Sequence, residues 1–229
     1  MRVLIREPNG YHQITPIDAN SARESDYTKV TFTPDLKLFR LGSLRDDDFL
    51  ALLERRVYDI AGCNEQLNVV LNGKSIRTSF EDYALKHLAV AREASEAPEA
   101  QMVYERINDR WQVGVAVSDT HQFQQVSFVN SVNTANGGTH VVYVAEQIAK
   151  AVAEKMNVPA AIVKNNLFVF INCLIENPSF ASQSKDTLTT KAKDFGSECR
   201  LPPKFLRELM EHTSLCANVK DWVTMRDPA

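Results

Sequence analysis

An α+β fold is predicted for this chain by three observations. Several short segments rich in Val, Ile, Phe and Tyr carry strand signals, a long helical period lies between the last two of them, and shorter helical periods flank the set. Strands, then a helix, then a strand make an α+β domain with helices packed on one sheet face. At 229 residues the chain can hold one core plus a smaller unit, because domains usually run to roughly 100 to 200 residues.

The elements follow in order. Tyr27 to Thr33 is β-rich and closes at Pro34-Asp35, where proline ends a strand and begins a turn. Ser43 to Asp46 reads as a capping box, and Phe49, Leu52, Leu53, Val57 and Ile60 recur at helical spacing, which predicts a helix with one core face. Gly62 is placed to end it in the left-handed conformation. Leu67 to Leu71 and Lys74 to Arg77 form a hairpin about Asn72-Gly73, a strong short-range turn signal. A short helix over Phe80 to Leu88 follows, and the acidic, proline-marked residues 91–100 read as an exposed loop.

Met102 to Ile107, Trp111 to Ser118 and Gln124 to Val132 read as three strands in a meander. Gly137-Gly138 leads into a helix to about Lys155, with Val141, Val144, Ile148 and Val152 on one side. After Pro159, Asn166 to Ile175 is a long buried strand with Phe168 and Phe170 facing one way; residues 179–200 form a polar loop, and Pro202 to Glu211 and Ala217 to Thr224 are short helices.

Composition excludes several classes. No run approaches the ~18 apolar residues of a membrane span, and the first residues lack the apolar core and cleavage site of a secretory signal. Cys63, Cys173, Cys199 and Cys216 are too scattered for a zinc pattern and read as free thiols; the histidines show no metal spacing, so no protein-held metal is expected. A net charge of −3 argues against a strong independent grip on a phosphate backbone.

Four motifs carry chemistry worth weighing. Asn68 to Ser75 ends like a P-loop, but asparagine stands where glycine is needed and a hairpin follows instead of a helix. Asp46 to Asp48 sits in a first helical turn, where negative charge favours the helix dipole without any metal. Asn136 to His140 puts paired glycines between strand and helix, which leaves two readings: open N–H groups that hold an anion, or a turn needing glycine for steric reasons. Gln183-Ser184-Lys185 lies on a polar loop projected from a long buried strand, and a lysine so mounted can act at a distance.

With their flanks, these segments resemble the transducer region of eukaryotic type IIA DNA topoisomerases, the ATP-driven enzymes that pass one duplex through another. The carriers include Thr31 to Leu36, Arg55 to Gly62, Leu71 to Gly73, Phe80 to Tyr83, Gln125 to Ser131, Gly137 to Val141, Val163 to Asn165, Phe170 to Pro178, Ser182 to Lys185 and Phe195 to Ser197, within Tyr27 to Trp222. The resemblance implies that residues 1–62 are the C-terminal remnant of a GHKL ATPase domain and 63–229 a transducer with a fold like ribosomal protein S5 domain 2.

In that family a glutamine and a lysine of a Gln-Thr-Lys loop touch the γ-phosphate of ATP. The resemblance implies Gln183, Ser184 and Lys185 as nucleotide-binding residues and Lys185 as the catalytic group, with Ser184 in place of the family's threonine. ATP and Mg2+ are implied as cofactors of the complete enzyme. The family's ATP-holding motifs and cleavage core do not occur in this chain, so it is expected to be inactive alone. The implied partners are double-stranded DNA, a second copy through the ATPase N-gate, the remaining ATPase domain and the cleavage core. The implied compartment is the nucleus, with an organellar form left open.

Where the family often carries a lysine run that touches DNA, a shorter segment leaves Lys150, Lys155 and Lys164 as a DNA surface. Three phosphate contacts give a salt slope of at most about −2.7, hence weak binding. Two alternatives stand beside this reading: another GHKL ATPase of gyrase B or mismatch-repair type, and a truncated non-catalytic adaptor that binds partners through its sheet edge.

Overall fold

The computed structural model describes residues 4–7, 10–13, 29–38, 40, 42–93 and 101–226. The chain divides into two compact units, Met1–Asp46 and Asp47–Ala229. In the first, β1 (Leu4–Glu7) and β2 (Gly10–Gln13) pair antiparallel. The strand expected over Tyr27 to Thr33 is not formed at residues 29–33, which are irregular; Tyr27 and Thr28 lie outside the described residues. The turn after Pro34 is present, and Asp35 Oδ1 accepts from the N–H groups of Lys37 and Leu38 at 3.0 and 3.3 Å. Ser43 does not cap a helix. Its Oγ accepts from the Arg45 N–H at 3.0 Å in a local turn.

The second unit opens with α1 (Asp47–Cys63). Its expected core face is instead open: Leu52, Leu53 and Ile60 are 40 to 48% exposed, and Asp59, Ala61 and Gly62 are the buried residues. Gly62 does not end the helix. A Cβ there would lie 2.9 Å from Tyr83 Cβ and Cγ, so glycine is required for the close approach of α1 to α2 (Phe80–Glu93). Between these helices the Tyr83 hydroxyl donates to Asp59 Oδ1 at 2.6 Å, Arg56 donates to Asp59 Oδ2 at 2.9 Å, and His87 Nε2 lies 2.8 Å from the Tyr83 hydroxyl. Burial first, then the Asp59 carboxylate, pushes the Tyr83 phenol well above its usual pKa.

The hairpin β3 (Val69–Leu71) and β4 (Lys74–Ile76) turns at Asn72 and Gly73, both at positive φ. α2 is N-capped by Ser79, whose Oγ accepts from the Asp82 N–H at 3.0 Å and donates to Asp82 Oδ2 at 2.8 Å.

The main sheet contains β5 (Val103–Asn108), β6 (Trp111–Val117), β7 (Gln124–Val129), β8 (Val132–Asn133) and β9 (Leu167–Cys173), in the order β5-β6-β9-β7-β8. The expected meander holds only for β5 and β6. The last strand in sequence, β9, lies between β6 and β7, antiparallel to the first and parallel to the second. A parallel pair needs a crossover. The crossover here is α3 (Thr139–Met156) and α4 (Ala160–Asn165). The nearly unbroken apolar run of β9 fits this central place, because such a strand is covered on both faces.

Helices therefore cover both faces, not one. On one side Trp111, Val113, Val115, Val169 and Ile171 meet Val144, Ile148 and Val152 of α3 and Phe205 and Leu209 of α5 (Pro203–His212). On the other, Ala116, Phe128, Phe168 and Phe170 meet Phe80, Tyr83, Ala84 and Leu88 of α2. Phe168 and Phe170 share a side as expected, with ring centroids 4.4 Å apart. The final helix, α6 (Leu215–Arg226), packs on α4 and α5. Among the described residues no helix is long and apolar enough to cross a membrane, and no three His, Cys, Asp or Glu side chains are grouped to hold a metal ion.

Candidate functional site

The end of β9 is tied down before the polar loop departs. Leu174 donates its N–H to Arg110 O, Asn130 exchanges two hydrogen bonds with the Ile175 backbone, and Glu176 donates to Phe195 O. The loop itself is a short hairpin. Ala181 N–H donates to Thr187 O at 3.0 Å, Thr189 N–H donates to Ser179 O at 2.9 Å, and Phe180 bridges Leu188. At the tip the Lys185 N–H donates to Ser182 O at 3.1 Å, and Lys185 takes φ 61°.

This structure brings Gln183, Ser184 and Lys185 together at one exposed tip. The Ser182 and Ser184 hydroxyls lie 2.6 Å apart, and Ser184 Oγ donates to Asp186 Oδ2 at 2.5 Å. Lys185 Nζ sits 5.8 Å from the Phe180 ring centroid and enters no ion pair among the described residues. The ammonium is thus on the outside of a clamped turn, held by a weak cation–π contact that an anion can displace. The Gln183 amide and the Lys185 ammonium are donors that suit the oxygens of a terminal phosphate, while the Ser184 proton is held by Asp186.

The Gly137-Gly138 turn is not an open anion site. Leu188 N–H donates to Gly137 O at 3.0 Å and Thr139 N–H donates to Leu188 O at 3.1 Å, so the lysine loop occupies the helix N-terminus. Of the two readings left open for this turn, the steric one holds. Below it, Thr134 Oγ1 donates to Ser127 O and lies 3.2 Å from His140 Nε2. The buried Nδ1 has no hydrogen-bond partner among the described residues.

Burial pushes the His140 pKa down to about 3. A depressed histidine is neutral when folded and takes up a proton only when unfolded, so the unfolded state gains protons as pH falls below the usual 6.5. Stability is therefore complete above about pH 6.5 and is lost toward pH 3, at up to ~1.4 kcal/mol per pH unit. Melting temperatures between pH 7 and 5 should fall for the wild type and fall less for His140→Gln; equal slopes would refute this assignment.

Of the expected DNA lysines, Lys150 and Lys155 are exposed on α3 and Lys164 is half-buried on α4, its Nζ 5.5 Å from the Phe123 ring centroid. Five residues apart on a helix, Lys150 and Lys155 project about 140° from each other, so α3 alone does not present them as one stripe.

A family model described as DNA gyrase B matches residues 78–229. The chain is 44% identical over 230 residues to the mitochondrial DNA topoisomerase 2 of Dictyostelium discoideum, covering 94% of this chain and 18% of that protein. It is 48% identical over 202 residues to DNA topoisomerase 2 of Saccharomyces cerevisiae, covering 81% of this chain and 14% of that protein. The solved ATPase region of S. cerevisiae topoisomerase II superposes with a TM-score of 0.74 at 46% identity, over 82% of this chain and 48% of that one. The solved B-subunit of DNA gyrase from Myxococcus xanthus has a TM-score of 0.53 at 22% identity, over 74% of this chain and 59% of that one, which speaks to the fold alone. The chain thus spans less than a fifth of the length of these two curated relatives and about half of the solved yeast region.

Proposed function

The chain belongs to the DNA topoisomerase 2 family, within its ATPase and transducer region, and from that premise we propose that it reads the nucleotide state of an adjoining ATPase domain. Residues 1–62 then close a GHKL ATPase domain and 63–229 act as the transducer. Lys185, with Gln183 and Ser184 beside it, meets the γ-phosphate. ATP, when bound, supplies a terminal phosphate that ADP lacks. The observation that carries this reading is the exposed Lys185 ammonium, free of ion pairs among the described residues, on a tip fastened at its base.

A lysine about 4 Å from a phosphate charge is attracted by about 4 kcal/mol at an effective dielectric near 20, before desolvation. A contact made with one nucleotide and not the other is what a two-state switch requires. Closing a dimeric N-gate around a captured duplex, and passing that state to a cleavage core, is the coupled event. The complete protein is a homodimeric, ATP- and magnesium-dependent DNA topoisomerase II acting in the nucleus or an organelle. The test uses S. cerevisiae DNA topoisomerase 2 with its aligned segment replaced by residues 47–229. Lys185→Ala should abolish relaxation of supercoiled DNA while ATP still binds; wild-type relaxation by that variant refutes the assignment.

Lys150, Lys155 and Lys164 are proposed as weak duplex contacts on the same unit. Replacing all three by Ala should flatten the log–log salt dependence of duplex binding by up to about 2.7. An unchanged slope removes them from the DNA surface.

A further inference from the structure

The lysine loop meets the first turn of α3 backbone to backbone, while its Leu188 and Phe180 side chains pack into the main core. Gly138 sits at φ 136°, and a Cβ there would lie 2.4 Å from Leu188 O and 2.5 Å from Leu188 N. The two backbones run side by side as a parallel bridge, sealed by Leu188 N–H to Gly137 O and Thr139 N–H to Leu188 O. Two further bonds flank it. Asn136 N–H donates to Asp186 O at 3.0 Å, next to Lys185, and the Thr139 hydroxyl donates to Thr190 O at 2.6 Å. Residues 136–139 thus grip 186–190 along their length, while the ties at Ser179, Ala181 and Thr189 stay within the loop.

On the far side of this grip α3 is fixed to the sheet, burying His140, Val141, Val144, Ile148 and Val152. Close-packed elements move as units and do not deform smoothly. We propose that Gly138 is a positioning residue: its backbone splice to Leu188 makes the Gln183–Lys185 tip and α3 one mechanical body, so a displacement of the tip by a phosphate is delivered to the helix and its sheet. Glycine is required because any side chain separates the two backbones. This inference rests on the reading of Lys185 as the sensor and adds the route by which its position leaves the loop.

The test has two arms. In the 229-residue chain, Ser184→Ala removes a hydroxyl from the tip, and backbone amide NMR shifts are followed in wild-type and Gly138→Ala backgrounds. The expected result is a shift reaching Thr139 to Val142 in the first background and confined to residues 180–188 in the second. Shifts that cross equally in both, or that never reach α3 in the wild-type background, overturn the proposal.

In the chimeric yeast enzyme, Gly138→Ala should keep ATP hydrolysis while raising the ATP consumed per strand passage. Thr139→Val, which removes one bond and leaves the splice, should raise that ratio by about fivefold, the equilibrium factor of one net hydrogen bond. Thr139→Ser should restore it. If Gly138→Ala does not fold, the Thr139 pair decides: an unchanged ratio in Thr139→Val overturns the coupling. Normal relaxation by Lys185→Ala sinks the sensor reading itself, whereas an inactive Lys185→Ala with fully coupled Gly138→Ala and Thr139→Val sinks only the route.

Discussion

Trp111→Ala should destabilise the chain by about 3 to 5 kcal/mol, the usual cost of truncating a large buried aromatic side chain. For a chain of this size that lowers the melting temperature by about 6 to 20 °C. Trp111 is fully buried at the start of β6, its ring near those of Tyr143 and Phe195, and its Nε1–H donates to Ser197 Oγ at 2.8 Å. One side chain therefore joins the sheet, α3 and the segment that follows the lysine loop. Removing it opens a cavity and leaves the Ser197 hydroxyl without its donor. A calorimetric melt checks this, and a shift of only a degree or two would mean that the ring is not part of the common core.

How much of this was legible in the sequence depends on how local each signal is. Asn72-Gly73 fixed its own turn, because the positive φ both residues adopt is a property of those two positions. The apolar run from Leu167 announced a long buried strand but not that helices cover both of its faces, and Asn172 within it donates to Cys63 O at 3.1 Å, which ties the end of α1 to the sheet. Capping was legible as a pattern but not as a place. Ser43 to Asp46 and Ser79 to Asp82 share the same spacing, yet only the second precedes a residue, Phe80, that is fully buried and holds the helix start against a core.

Strand order was not legible, because Gln124 to Val129 pairs with a partner more than forty residues later and the crossover hides it. Nor was the role of Gly62, which answers to Tyr83 across the helix interface and not to its own helix end. The apolar period of α1 correctly gave a helix, but periodicity says which side is apolar and not what covers it.

For the candidate site, the resemblance names the residues of the tip, and the folded loop supplies their setting. The grip of the glycine turn on Leu188 joins segments fifty residues apart through backbone groups, which leave no side-chain signature. Its one trace in the sequence is the pair of glycines, whose steric need was visible while the object pressed against them was not.

The sensor reading has its most direct test in closure of the dimer gate. Moving a two-state gate from mostly open to mostly closed takes about 5.5 kcal/mol of differential binding. A lysine–phosphate contact of about 4 kcal/mol before desolvation is a large share of that requirement. In the chimeric yeast enzyme, salt-resistant retention on circular DNA is measured with a non-hydrolysable ATP analogue and with ADP. The wild-type chimera should be retained with the analogue and not with ADP, and Lys185→Ala should be retained with neither. Retention of Lys185→Ala at the wild-type level with the analogue would contradict the claim that this ammonium reports the γ-phosphate.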